Sequence, residues 1–183
     1  MQITRRIRKL LLLPIRKIQF NRFGNRSEII KPLLISGTKN ISVGNRTTIR
    51  EFARIEAINS FCGDRYNPKL RIEDHVTIEQ GAHITCCDTV VIGEDTTISS
   101  YVYISDTSHT YKTKQSVLDQ PLEVKPVLIG KSVFIGTGAK ILPGVSIGDG
   151  SIIGANAVVT HNIPPNSVAV GVPAKVIKTI NRI

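Results

Sequence analysis

Residues 127–162 read VLIGKS VFIGTG AKILPG VSIGDG SIIGAN AVVTHN, six consecutive units of six. The third position of each unit is a branched aliphatic: Ile129, Ile135, Ile141, Ile147, Ile153 and Val159. Two places earlier stand Val127, Val133, Ala139, Val145, Ser151 and Ala157, all small or aliphatic. Glycine follows the aliphatic in four units, at Gly130, Gly136, Gly148 and Gly154. A helix repeats every ~3.6 residues and a half-buried strand alternates, so neither produces a period of six with a turn-permissive residue after each aliphatic. A short strand followed by a corner does. Three such units close a triangular coil, and each aliphatic then points inward onto its counterpart one coil away.

The same register runs upstream with gaps. Val43, Ile49 and Ile55 form one set, Ile72, Ile78 and Ile84 a second, and Ile92, Ile98 and Ile104 a third. With the later units these predict an all-β prism of about five triangular coils over residues 35–162. Residues 163–183 are rich in proline at their start and read as a short C-terminal cap. The composition agrees: aromatics are 5% and Trp is absent, so the core is filled by Ile and Val, which suit short strands.

Interruptions of the register mark where loops leave the prism. A short excursion, AINSFCGDRYNPKL, separates Ile55 from Ile72, and two extra residues near Cys86 and Cys87 separate Ile84 from Ile92. The long insert 105–126, SDTSHTYKTKQSVLDQPLEVKP, separates Ile104 from Ile129. Chemistry tends to be placed on loops projecting from rigid scaffolds.

The net charge of +10 is uneven: residues 1–31 hold nine basic side chains against Glu28 alone. A nucleic-acid binder spreads cations along a face with aromatic partners, so no nucleic acid is expected as a partner. Ile3, Ile7, Leu10, Leu11, Ile15 and Ile18 make a helix-like stripe within a basic segment 1–34. It reads either as a helix capping the prism or as an amphipathic contact of residues 1–20 with an anionic membrane surface. The apolar run Leu10–Leu13 is too short for a secretory signal, and nothing else approaches a membrane span. Three cysteines, Cys62, Cys86 and Cys87, form no disulfide framework or zinc motif and point to a reducing cytoplasm, and the basic start extends that expectation to the inner face of the membrane.

Two stretches, VLIGKSVFIGTGAKILPGVSIGDGSIIGANAVVTHNIPPNSVAVGVPAKVI and YVYISDTSHTYKTKQSVLDQPL, resemble the hexapeptide-repeat acyltransferases, in particular bacterial capsule and O-antigen and maltose/galactoside O-acetyltransferases. The resemblance covers roughly residues 35–178 and implies a left-handed parallel β-helix, acetyl-CoA as co-substrate without a required metal, a sugar or glycan acceptor, and a homotrimer. His109, in the motif I-x-D-x-x-H, matches the family's general base, a role suited to an imidazole. Asp106 belongs to the same motif and either orients the loop or stabilises a turn. His83 is a further candidate beneath the loop, or a surface histidine.

In the family, coenzyme A lies against flat coils in a groove between two subunits. The matching surface here is Gly136, Thr137, Gly138, Gly154, Ala155 and Thr160, with the Thr137 N–H as oxyanion donor by analogy. Lys175 and Lys178 are placed to meet nucleotide phosphates, or are solvated charges. Phe134 stands where the family usually has Trp. A γ-class carbonic anhydrase shares the fold but needs a histidine five residues beyond the first, where Lys114 stands. A structural β-helix subunit and an N-acetyltransferase of amino sugars are the other readings of the same pattern.

Overall fold

In the computed structural model, which describes residues 20–112 and 114–181, the chain is a left-handed β-helix with three flat faces of parallel strands. Face one stacks Arg22–Phe23, Ile41–Val43, Lys69–Ile72, Thr89–Ile92, Val127–Ile129 and Ser146–Ile147. Face two runs from Glu28–Ile29 through Thr48–Ile49, Thr77–Ile78, Thr97–Ile98, Phe134–Ile135 and Ile152–Ile153 to Ser167–Val170 and Lys175–Thr179. Face three stacks Leu34–Ser36, Arg54–Ala57, His83–Cys86, Tyr103–Ser105, Lys140–Ile141 and Val158–Val159.

The predicted inward aliphatics meet in register from coil to coil. On face one, Val43, Ile72, Ile92, Ile129 and Ile147 form one column. On face two the column is Ile49, Ile78, Ile98, Ile135 and Ile153, and on face three Ile55, Ile84, Ile104, Ile141 and Val159. All of these side chains are buried. Burying each contributes about 1.5–3 kcal/mol, and the continuous columns make neighbouring coils interdependent.

Where a small hydroxyl replaces the second inward aliphatic, it bridges coils. Thr96 Oγ1 donates to Gly130 O at 2.9 Å and accepts from Val133 N at 3.2 Å. Ser151 Oγ does the same between Pro164 O and Ser167 N, at 2.8 and 3.2 Å. These buried hydroxyls are therefore satisfied in both senses, which removes the usual penalty for burying them.

Two boundaries differ from the sequence reading. Among the described residues the prism begins at Arg22, not at residue 35, and has one coil more than the five read from the register. Phe23, Ile29 and Ile35 occupy its inward positions, with Phe23 paired to Val43, Ile29 to Ile49 and Ile35 to Ile55. A 3-10 turn at Thr38–Asn40 adds two residues before Val43, which breaks the count of six and hid this coil. At the other end, Ile163 still stacks on Ile147, and Ser167–Val170 adds a parallel strand to Ile152–Ile153. Only Lys175–Thr179 turns back, antiparallel to Ser167–Val170, and closes the end as a hairpin. The helical stripe of residues 3–18 and the membrane contact of residues 1–20 fall on residues 1–19, outside the described residues apart from Phe20.

Candidate functional site

Both sizeable inserts leave the corner between faces three and one. The long insert is an antiparallel arm in which Thr107–His109 pairs with Leu122–Val124, and His109 stands opposite Leu122. The shorter insert is a hairpin, Ser60–Phe61 against Asp64–Arg65, turning through Cys62 and Gly63 with φ of 48° and 83°. The hairpin follows the second coil and the arm follows the fourth. The intervening coil makes a tight corner at Cys87 and Asp88.

The root of the arm is fixed by Asp106. Its side chain is fully buried, with Oδ1 accepting the N–H of Cys87 at 2.8 Å and Oδ2 that of Asp88 at 2.8 Å. Its carbonyl accepts Lys125 N at 2.7 Å, joining the two legs of the arm. Burial raises the carboxyl pKa, and the converging backbone N–H groups offset part of that rise. Among the described residues no hydrogen bond joins Asp106 to His109. The carboxylate ties the root of the loop to the corner of the coil below and closes that tight corner, so both roles open to Asp106 in the sequence stand.

His109 is exposed near the outer end of this braced strand. Its ring meets Phe61 of the shorter hairpin edge-on, with centroids 5.4 Å apart at 64°. Tyr66, just after that hairpin, accepts the backbone N–H of Leu122 at 3.0 Å through its hydroxyl. Neither Phe61 nor Tyr66 was singled out from the sequence. The excursion holding them was visible, but its turn uses Cys62 at positive φ, where Asn or Gly would have announced a hairpin.

His83 lies on face three, between Arg54 on one side and Tyr103 on the other. Its ring is edge-on to Tyr103 at 5.4 Å, and Nε2 is 3.2 Å from Thr85 Oγ1 and 3.6 Å from Glu56 Oε2. Glu56 also pairs with Arg54. Burial and then the Arg54 charge lower the His83 pKa, with Glu56 pulling the other way, which favours the neutral imidazole.

Burial pushes the thiol pKa of Cys86 far up and that of Cys87 to about 11, with Asp106 adding to both. Neither supplies a thiolate near neutral pH.

Gly136, Thr137, Gly138, Gly154 and Ala155 come together at the corner between faces two and three on the last two coils. Thr137 and Ala155 are exposed and Gly136 is buried. Thr160 lies at the next corner, its hydroxyl 2.8 Å from His161 Nδ1. Lys175 and Lys178 are exposed on the closing strand, Lys178 opposite Val168. Face three therefore separates the glycine corner from the corner that carries His109.

Elsewhere, His75, Glu94 and Asp95 bring three potential ligand atoms within 4.8 Å at the corner between faces one and two. His75 Nδ1 is already 3.1 Å from Asp95 Oδ1, and Lys131 Nζ is 3.3 Å from Glu94. This group is at a different corner from His109 and does not include it.

Residues 126–161 match the family described as bacterial transferase hexapeptide (six repeats). Those residues carry the hexapeptide repeat that the family model describes. The chain is 40% identical over 116 residues to a protein of Escherichia coli (strain K12) named as a lipopolysaccharide biosynthesis O-acetyl transferase, covering 59% of this chain and 59% of that one. It is 44% identical over 93 residues to the galactoside O-acetyltransferase of the same strain, covering 51% of this chain and 45% of the relative. The chain thus spans about half the length of the curated relatives it matches. Among solved structures, a galactoside acetyltransferase in complex with coenzyme A superposes with a TM-score of 0.59 at 28% identity, over 92% of this chain and 69% of that one. An N-acyltransferase of Bacillus cereus bound to dTDP and 3-hydroxybutyryl-CoA reaches 0.77 at 21% identity, over 92% and 88%, a likeness of fold alone.

Proposed function

We propose that the protein transfers an acetyl group from acetyl-CoA to a hydroxyl of a sugar or glycan precursor, with His109 as general base. The observation that carries this reading is the placement of an exposed imidazole on an arm braced at its root and at the outer end of its paired strands. The similarity to two relatives named as O-acetyltransferases supports oxygen over nitrogen as the acceptor atom.

The chemistry is a direct displacement. The imidazole of His109 takes the proton of the acceptor hydroxyl as the oxygen forms its bond to the thioester carbonyl carbon. The carbonyl oxygen becomes the oxyanion of a tetrahedral intermediate, for which the Thr137 N–H is the donor by analogy with the family. Collapse breaks the carbon–sulfur bond, and the imidazolium returns its proton to the leaving thiolate. The raised thiol pKa values of Cys86 and Cys87 argue against a covalent acyl-cysteine route.

Coenzyme A is assigned to the corner of Gly136, Gly138, Gly154 and Ala155, with Lys175 and Lys178 toward the phosphates and Thr160 one corner further on, across face three. In a homotrimer, the groove between two copies would bring this corner of one subunit to the arm of its neighbour.

The test is acetyl-CoA consumption against nucleotide sugars, oligosaccharides and glycan fragments, with matched amino-sugar acceptors. His109→Ala is expected to lower turnover by roughly 10²–10⁴, with the KM for acetyl-CoA within about twofold if its binding is untouched. An undiminished rate removes His109 as the base, and turnover confined to amine acceptors replaces O-transfer by N-transfer.

A further inference from the structure

The shorter hairpin has no counterpart in the chemistry just described, yet it touches the arm twice. Phe61 contacts the ring of His109, and Tyr66 accepts the N–H of the residue directly across the arm from His109. These contacts come from a segment more than forty residues earlier in the chain, leaving the same corner two coils below. Strands in a sheet are about 4.8 Å apart, so the two inserts leave the prism roughly 10 Å apart, with only the tight Cys87–Asp88 corner between them. That separation is about the distance at which two flat structures pack face to face.

We propose that the segment 58–66 is a positioning element of the acyl-transfer site, with Phe61 and Tyr66 as positioning residues that hold the His109 imidazole in its working orientation. The inference rests on His109 as the general base.

The division of labour follows from the geometry. Asp106 fixes the arm where it leaves the prism, but His109 lies three residues further out on a two-stranded hairpin, which has little stability by itself. Three residues of strand span about 10 Å, so small rotations at the root become large displacements of the ring. A second support is needed at the outer end of the paired strands, where His109 stands. Tyr66 supplies it to the backbone, through a hydrogen bond that phenylalanine cannot make. Phe61 supplies it to the ring, by an edge-on contact that an aliphatic residue of similar size does not reproduce. Its neighbours fit the same role: Tyr66 N donates to Asn59 O at 2.8 Å, which closes the base of the hairpin. The residues of the turn, Cys62 and Gly63, project away into solvent-exposed positions.

The experiment compares Phe61→Leu, Phe61→Tyr and Tyr66→Phe with the full-length wild-type protein, by steady-state kinetics and by the NMR signals of the His109 ring. Those signals are assigned by their loss in His109→Gln. Phe61→Leu and Tyr66→Phe are each expected to lower kcat roughly three- to tenfold, as a lost edge contact or hydrogen bond allows. The KM for acetyl-CoA and the thermal midpoint should stay unchanged, and Phe61→Tyr should restore kcat. Phe61→Leu should also shift the His109 carbon-bound proton signals, because the ring current of Phe61 is removed. If His109→Ala abolishes turnover while Phe61→Leu moves neither kcat nor those signals, the positioning role falls and the base assignment stands. If the signals move but His109→Ala is fully active, the contact is real, and the base assignment falls with the positioning role built on it.

Discussion

Asp106 Oδ1 accepts the backbone N–H of Cys87 at 2.8 Å, so the arm that carries His109 is bolted to the corner of the coil beneath it. The second oxygen accepts Asp88 N at the same distance. A carboxylate offers acceptors on both oxygens, and two donors converge on it. An asparagine offers one acceptor and turns an NH2 group toward the other N–H. Asp106→Asn therefore leaves a buried donor unpaired, at about 1–3 kcal/mol, while removal of the buried charge offsets part of this. The expected net loss is about 1 kcal/mol, with Asp106→Ala losing more because both donors are orphaned. Thermal unfolding should rank wild type above Asp106→Asn above Asp106→Ala, with kcat in the same order.

The same residue gives a signed pH effect. Burial raises its pKa in the folded state, so the folded protein holds this proton to higher pH than the unfolded chain does. Stability contributed by this group is present at low pH and is lost as pH rises from the unfolded to the folded pKa. Unfolding followed across the acid range should show that fall in the wild type and not in Asp106→Asn.

His83 carries the opposite sign. Its pKa is lowered, so the unfolded chain binds the proton more readily than the folded one. Stability from this group is complete above the ordinary histidine pKa and declines as pH falls through it. His83→Gln keeps a neutral hydrogen-bonding side chain beside Thr85 and Tyr103 and should flatten the decline below about pH 6.5. If His83 takes part in the site, a ring whose lowered pKa favours the neutral form acts there as a hydrogen-bond partner. His83→Gln should lower turnover by under about tenfold, far less than His109→Ala.

The three thiols should separate cleanly in labelling. Cys62 is exposed on the hairpin turn, whereas Cys86 and Cys87 are buried. Their pKa values, above the usual range for Cys86 and about 11 for Cys87, suppress the reactive thiolate further. Native protein at pH 8 should take up one equivalent of iodoacetamide, Cys62→Ser should take up none, and denaturant should release both buried thiols. Labelling of Cys87 in the folded protein would reopen the acyl-cysteine route.

The columns of isoleucine were legible because stacking imposes the same demand on every coil, so the demand is written into the sequence at a fixed interval. The first coil was not, because Phe23 replaces an aliphatic and the turn at Thr38–Asn40 shifts the count by two. His109 was legible as an imidazole in a polar insert of known pattern. Its supports were not. The contact of Phe61 with His109 joins residues 48 positions apart, and its existence depends on two inserts leaving one corner two coils apart. No local signal encodes that distance. Asp106 lay between: the sequence marked it, and only the bonds to Cys87 and Asp88 fix what it holds.

Gly136 tests whether the glycine corner serves the prism or the cofactor. A Cβ built there would lie 2.6 Å from Ala155 N, 2.8 Å from Gly154 C and 2.9 Å from Ile153 O, all backbone atoms of the next coil. Those atoms cannot retreat cheaply, since Gly136 N donates to Ile153 O and Gly154 N donates to Ala169 O, each at 2.8 Å. The conflict is steric rather than torsional, because Gly136 is absent from the positive-φ positions of the chain. Gly136→Ala must force the last two coils apart and should cost about 1–3 kcal/mol, a few degrees in thermal midpoint for a chain of this size. Acetyl-CoA affinity should fall with it if the cofactor lies across this corner. Gly63→Ala is the control: the Cβ there meets nothing within 4 Å, although φ is 83°, so only a torsional cost remains, about 1 kcal/mol. A midpoint unchanged in Gly136→Ala with lost acetyl-CoA binding would assign the glycine to the cofactor alone. A lowered midpoint with unaltered binding would assign it to coil stacking and move coenzyme A away from this corner.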